Sequence, residues 1–198
     1  KKNNFLKVIN TPKNIGGRFS SATPFGVFPA TFMNEILTYL ENNSLWNLNQ
    51  IKKKCTLLTS VLKNSYDNHN GVLNLEIPEE ISQMGIWLEQ IIAESTGKNG
   101  KGITPIINND SNIGYPKISI NNNSEKKYTS TNTDELIISF NKKTILEDMF
   151  IWQTAVSILC KYMSIFPFDE PDVTRSKINT ENILKKHKEI RKVTIPYS

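Results

Sequence analysis

Apolar positions recur at helical spacing in four stretches of the chain. Phe32, Met33, Ile36, Leu37 and Leu40 predict a helix from about Pro29, with the proline in its first turn. Ile51, Cys55, Leu58 and Leu62 predict a second, from about Leu48 to Leu62. Met84, Trp87, Leu88 and Ile91 place a third over Ser82–Ser95, with Gly97 as its stop. Thr144–Met163 predicts a fourth. It is apolar on nearly every side between Met149 and Leu159, as expected of a helix buried on a sheet. A last helix follows the Pro167–Val173 segment and runs to about His187.

Strand patterns are shorter. Val72–Ile77, Ile103–Ile107, Lys117–Ile120 and Glu135–Phe140 carry them. Phe5–Ile9 reads as an edge strand or arm. Asn14–Pro29, Asn64–Gly71, Gly97–Gly102 and Asn121–Thr133 read as turns or loops. Strands alternating with helices predict an α/β layered fold with a mainly parallel sheet.

Composition narrows the class. The chain has 198 residues, 38% apolar and 22% charged, which suits one domain with a true core. Asparagine fills about one position in eight. The net charge of +5 permits an anionic partner. The lysines are scattered, and their clusters at Lys52–Lys54 and Lys185–Lys192 read as solvated helix faces rather than a nucleic-acid footprint. Cys55 and Cys160 give no disulfide framework and fit a reducing compartment. The apolar stretch Met149–Cys160 is shorter than the roughly 20 residues a bilayer requires. A soluble, cytoplasmic protein is expected, with neither a membrane nor nucleic acid as partner.

Common chemistries are missing. Two histidines and two cysteines without paired spacing make no zinc set. No Gly-x-Ser-x-Gly, Walker loop or Gly-x-Gly-x-x-Gly occurs. Three local features remain. In Gly16-Gly17-Arg18-Phe19-Ser20, two glycines allow close backbone approach and the arginine offers a planar donor fork. Gln90 and Glu94 share one helix face, and Glu94 falls in the last turn. There the negative end of the helix dipole disfavours a charged carboxylate, which suits a general base. The Gly/Lys loop after it reads as an anion cradle or a flexible link. The third feature is Pro167-Phe-Asp-Glu-Pro-Asp-Val173 with Lys177 beyond it.

Together, and in this order, the three blocks resemble glucose-6-phosphate isomerases. Ile15-Gly-Gly-Arg-Phe-Ser20 is similar to that family's Gly-Gly-Arg-Tyr/Phe-Ser signature. Glu94-Ser-Thr-Gly-Lys98 resembles its Glu-Ser-x-Gly-Lys block. Phe168-Asp-Glu-Pro-Asp-Val173 with Lys177 resembles its C-terminal block. The wording of the last two is nearest to isomerase domains fused behind a bacterial transaldolase. The resemblance implies a sugar-isomerase (SIS) type three-layer sandwich. It implies that residues 1–198 are the second SIS domain, with 166–198 as a C-terminal helical segment. It also implies an N-terminal SIS domain, in the same or another chain, to supply the phosphate loop, and a homodimer.

Roles follow from the same resemblance. Glu94 would move a proton between C2 and C1 of a sugar phosphate through a cis-enediolate. Arg18 would stabilise the enediolate oxygens, and Lys177 would assist ring opening. Gly16, Gly17 and Gln90 would bind substrate. No metal or organic cofactor is implied. The chain departs from the pattern at Lys13, where the family has an acidic or small polar residue. It also has no histidine between Glu94 and Lys177, where the family places its ring-opening histidine. A non-catalytic SIS module binding sugar phosphates is the alternative expectation, and a basic nucleic-acid binder a weaker one.

Overall fold

The structure is a computed structural model that describes residues 8–11, 15–21, 23–30, 47–108, 114–121, 128–130, 132–140, 145–169 and 171–189. It divides into two compact units, Lys1–Phe168 and Asp169–Ser198. The expected helix from Pro29 lies outside the described residues beyond Ala30, as does most of the expected arm at Phe5–Ile9.

The first unit is an α/β fold with a mainly parallel sheet flanked by helices, consistent with a three-layer sandwich. Its helices are α1 (Pro24–Ala30), α2 (Leu48–Asn68), α3 (Ser82–Thr96) and α4 (Ile145–Tyr162). Its strands are β1 (Val72–Glu76), β2 (Thr104–Ile107), β3 (Lys117–Asn121), β4 (Tyr128–Ser130) and β5 (Glu135–Ser139). The order across the sheet is β2-β1-β3-β5-β4, and among the described strands only the β4–β5 pairing is antiparallel.

Register explains the core. Leu75 of β1 lies beside Ile107 and Ile118, and Ile118 beside Leu136. With Leu73, Ile120 and Ile138 these form one apolar face, and the strand residues between them carry Lys117, Ser119 and Glu135 on the other. Leu58 and Leu62 of α2, Leu88, Ile91 and Ile92 of α3, and Trp152, Val156 and Leu159 of α4 complete the core.

Several elements differ from the sequence expectation, each for a local reason. α1 sits inside the expected loop Asn14–Pro29. Thr23 supplies its cap, accepting the Phe25 N–H on Oγ1, and Pro24 takes the first position. α2 runs on to Asn68 rather than ending near Leu62, because Ser65 is buried and its Oγ donates to Val72 O (2.9 Å). β4 emerges from the expected loop Asn121–Thr133 as a short edge strand. On α4, Ile158 and Tyr162 are exposed, so the helix is not buried all round.

The second unit holds α5 (Pro171–Glu189). The side chains of residues 174–186 are exposed, Ile178, Ile183 and Leu184 among them. No described helix is long and apolar enough to cross a membrane.

Candidate functional site

The Arg18 segment is built from a tight local turn. Gly16 is extended (φ −68°, ψ 160°), and Gly17–Phe19 closes a single 3₁₀ turn with Phe19 N–H on Gly16 O (3.0 Å). This turns Arg18 and Phe19 inward, and both are buried. The Phe19 ring meets Phe168 edge-on at 4.8 Å. The two glycines serve different ends. A Cβ on Gly16 would stand 3.1 Å from Phe168 O, whereas one on Gly17 would meet nothing within 4 Å. Gly16 is therefore small for packing. Gly17 is small where the fold makes no such demand.

A buried guanidinium needs partners, because an unpaired charge is costly to desolvate. Arg18 donates from Nη1 to Glu94 Oε2 (2.9 Å), from Nη2 to Pro167 O (3.2 Å) and, at longer range, from Nε to Ser95 Oγ (3.4 Å). Glu94 is the open end of this pair: its side chain is 48% exposed against 3% for Arg18. Gln90, one turn earlier on α3, donates from Nε2 to Glu94 Oε1 (3.3 Å). The structure thus brings Arg18, Gln90 and Glu94 into one cluster with its carboxylate toward solvent.

The cluster lies at the amino-terminal edge of the sheet. α3 links two parallel strands, so it runs back against them, and its last turn meets the start of β2, where Ile103 N–H donates to Thr96 Oγ1 (2.9 Å). Gly97 ends α3 as expected. It does so by close approach, since a Cβ there would lie 2.7 Å from Ala93 O.

The Gly/Lys loop after Glu94 is a tight turn rather than an open anion cradle. Asn99 and Gly100 both have positive φ (56° and 74°), the Asn-Gly pattern of a two-residue hairpin turn, and Lys98 and Lys101 exchange backbone hydrogen bonds across it. Both ammonium groups are spent on carbonyls: Lys98 Nζ donates to Phe166 O and Lys101 Nζ to Met163 O. These bonds fasten the Glu94 end of α3 to the turn that presents Pro167 O to Arg18.

Beneath the cluster, Ser95, Cys160 and Gln153 are buried. The Cys160 Sγ–H faces Ser95 O at 3.5 Å, and burial pushes the thiol up to about 11, against the opposing influence of Lys98 and Arg18. Gln153 on α4, also buried, donates to the Arg18 backbone and to Ser21. No sequence pattern marks it out, because a single glutamine in an apolar helix carries no motif. Lys177 lies on α5 in the second unit and is exposed. An open apolar hollow of about 310 Å³ is lined by Ile9, Thr11, Pro24, Phe25, Phe28 and Pro29. None of the candidate site residues lines it, and it offers few polar groups to orient a sugar phosphate. Among the described residues, no three His, Cys, Asp or Glu side chains are grouped to hold a metal ion.

No family model matches the chain. Curated relatives do. A glucose-6-phosphate isomerase of Methanocaldococcus jannaschii is 30% identical over 113 residues, 54% of this chain and 28% of that protein. A probable glucose-6-phosphate isomerase of Methanococcus maripaludis is 30% identical over 118 residues, 54% of this chain and 26% of its own length. A glucose-6-phosphate isomerase of Mycoplasma mycoides is 28% identical over 102 residues, 48% and 23% respectively. The chain is therefore similar, over about half its length, to proteins named glucose-6-phosphate isomerase, and the match spans about a quarter of theirs.

Proposed function

We propose that this chain is the second SIS domain and C-terminal segment of a cytoplasmic glucose-6-phosphate isomerase. A first SIS domain, in the same or another chain, would complete it with the phosphate-binding loop. The observation that carries the reading is the ion pair between Arg18 and Glu94. These residues come from two separate motif blocks, 76 positions apart, and meet at 2.9 Å. The similarity to curated isomerases supports the same reading.

In this proposal the Glu94 carboxylate removes the proton from C2 of open-chain glucose 6-phosphate. The electron pair left on C2 forms the C1–C2 double bond of a cis-enediolate, and the carbonyl oxygen takes the negative charge. The O2 hydroxyl proton passes to O1, Glu94 returns its own proton to C1, and the carbonyl forms at C2, giving fructose 6-phosphate with no net redox change. Arg18 is aimed at the region where the oxyanion develops and is already desolvated, so it is strong there. Gln90 holds the carboxylate and a sugar hydroxyl. Gly16 and Gly17 let the backbone approach the sugar. Lys177 acts in ring opening, where the chain has no histidine between Glu94 and Lys177. The enzyme works as a homodimer in glycolysis and gluconeogenesis and uses no cofactor.

The test is a coupled assay of fructose 6-phosphate conversion, run on this chain alone, on the longest native protein that contains it, and on the latter with Glu94→Gln. Activity confined to the long protein and abolished by the substitution supports the reading. Folded but inactive protein throughout overturns it and leaves a non-catalytic module that binds sugar phosphates.

A further inference from the structure

Gln153 occupies a place where an apolar side chain would be expected. Its neighbours in sequence, Ile151, Trp152, Ala155 and Val156, are fully buried, and Gln153 itself is only 6% exposed. A primary amide in such surroundings must find partners. Its Nε2 donates to Ser21 Oγ (2.7 Å) and to Arg18 O (3.3 Å). A backbone carbonyl can only accept, so the amide must turn its NH₂ toward Arg18.

Phe19 packs the Arg18 turn against Phe168, and Gln153 bonds its main chain. The segment is a single 3₁₀ turn, outside the sheet and outside any long helix. Arg18 is thus held at both ends. Glu94, Pro167 and Ser95 take the guanidinium, and Gln153 takes the main chain. Ser21 extends the hold to the far side of the turn.

We infer that Gln153 is a positioning residue for Arg18: it sets the height and rotation of the turn so that the guanidinium meets the reacting oxygens, while Gln153 touches none of them. The kinetic part of this inference rests on the isomerase reading above. The positional part does not.

The experiment uses the longest native protein containing this chain, with Gln153→Leu and Ser21→Ala. Gln153→Leu removes the amide at nearly constant volume. Ser21→Ala removes one of its partners at a half-buried position and keeps the test alive if the first variant does not fold. Steady-state kinetics with fructose 6-phosphate are measured beside the ¹⁵Nε–Hε resonance of Arg18, assigned by its loss in Arg18→Lys. For Gln153→Leu, kcat falls about 10- to 100-fold and KM stays within about twofold, because misplacement of a group that acts on the transition state leaves ground-state binding largely intact. The Arg18 Hε resonance shifts, and its exchange with water rises by about tenfold as the guanidinium loses its fixed place. Ser21→Ala moves both readouts the same way by a smaller factor. A folded Gln153→Leu protein with unchanged kcat and an unchanged resonance overturns the inference. If the wild-type protein shows no isomerase activity, the isomerase reading falls and the resonance alone decides: a shift in a folded variant sustains the positioning role, and an unchanged resonance overturns it.

Discussion

Two charged clusters in the first unit use similar groups to opposite ends. In one, Lys54 bonds Glu147 at 2.7 Å with both side chains nearly buried (11% and 13% exposed). Its ammonium also lies 5.1 Å from the centre of the Tyr128 ring, and the Tyr128 hydroxyl donates to buried Asp148 (3.3 Å). Burial and then Asp148 push the Tyr128 hydroxyl well above its usual range. That cluster is closed and joins α2, α4 and the edge strand β4. In the other, Arg18 is buried, but its partner Glu94 is half in water. A pair sealed on both sides serves the fold. A pair open on one side holds its cation preorganised and leaves its carboxylate within reach of a ligand.

The sharpest way to break this contrast is to remove one carboxylate. Glu94→Gln in the longest native protein is expected to lower kcat by about 10²- to 10⁴-fold, the usual contribution of a positioned base. Its stability should change by less than about 1 kcal/mol, because the glutamine keeps an oxygen for Arg18, Pro167 O and Ser95 Oγ remain as acceptors, and the position is half exposed. Urea unfolding beside the coupled assay checks both numbers. A large loss of stability would mean that the open pair is structural after all.

The closed cluster should respond in the reverse sense. Lys54→Met leaves the Glu147 carboxylate without its ammonium in a nearly buried place, and about 1–3 kcal/mol of stability should be lost. Activity of the folded protein should be unchanged. Adding Glu147→Leu should recover much of the loss, since removing a whole buried pair costs less than removing half of it. A double variant no more stable than the single one would show that Glu147 is held chiefly by other partners.

The same distinction limits what could be read from the sequence. The core was legible in α2, where Ile51, Cys55, Leu58 and Leu62 are all buried, as their spacing predicts. β4 was not, because three residues in an Asn-rich stretch carry no alternation and acquire their structure only by pairing with β5. α1 was hidden by Pro24 and Gly26, which read as breakers although Pro24 is favourable at a first helical position. At the site, the helical spacing put Gln90 and Glu94 on one face, and they do touch. No local rule joins Arg18 to Glu94. The motif resemblance suggested that they share a site, and the tertiary fold supplies their contact. Gln153 and Lys98 were opaque, since their partners are backbone carbonyls of distant segments.

A subtler pair of changes separates packing from function at the turn itself. Gly16→Ala must push Phe168 O back by a few tenths of an ångström. It should lower stability by about 1 kcal/mol, as modest overpacking does. Gly17→Ala meets no atom within 4 Å, so stability should hold or rise slightly. If substrate approaches the backbone at Gly17, its KM should rise several-fold, by an added methyl in the path of a ligand. Thermal melts and KM values sort the two. Equal melting temperatures for both variants would remove the packing role assigned to Gly16.

The smallest expected effect probes the floor of the open cluster. The Cys160 thiol sits near Arg18 and Lys98, which favour its thiolate, yet burial raises it from 9.0 to about 11. Desolvation therefore outweighs the two cations at this thiol. Raising a thiol above its unfolded value means that the folded protein holds its proton over a window where the unfolded chain has lost it. The unfolded state then binds fewer protons, so stability falls as pH rises through that window. The contribution from Cys160 should be fully present below about pH 9 and lost progressively toward pH 11. Other groups titrate there too, so the useful quantity is the difference in urea midpoint between wild type and Cys160→Ala. The variant is less stable at neutral pH because it leaves a cavity. If the floor is dry, that gap narrows between pH 9 and 11, since only the wild type has a thiol to lose. A constant gap would mean that water reaches Ser95 and Cys160, and that Arg18 is screened from below as Glu94 is from above.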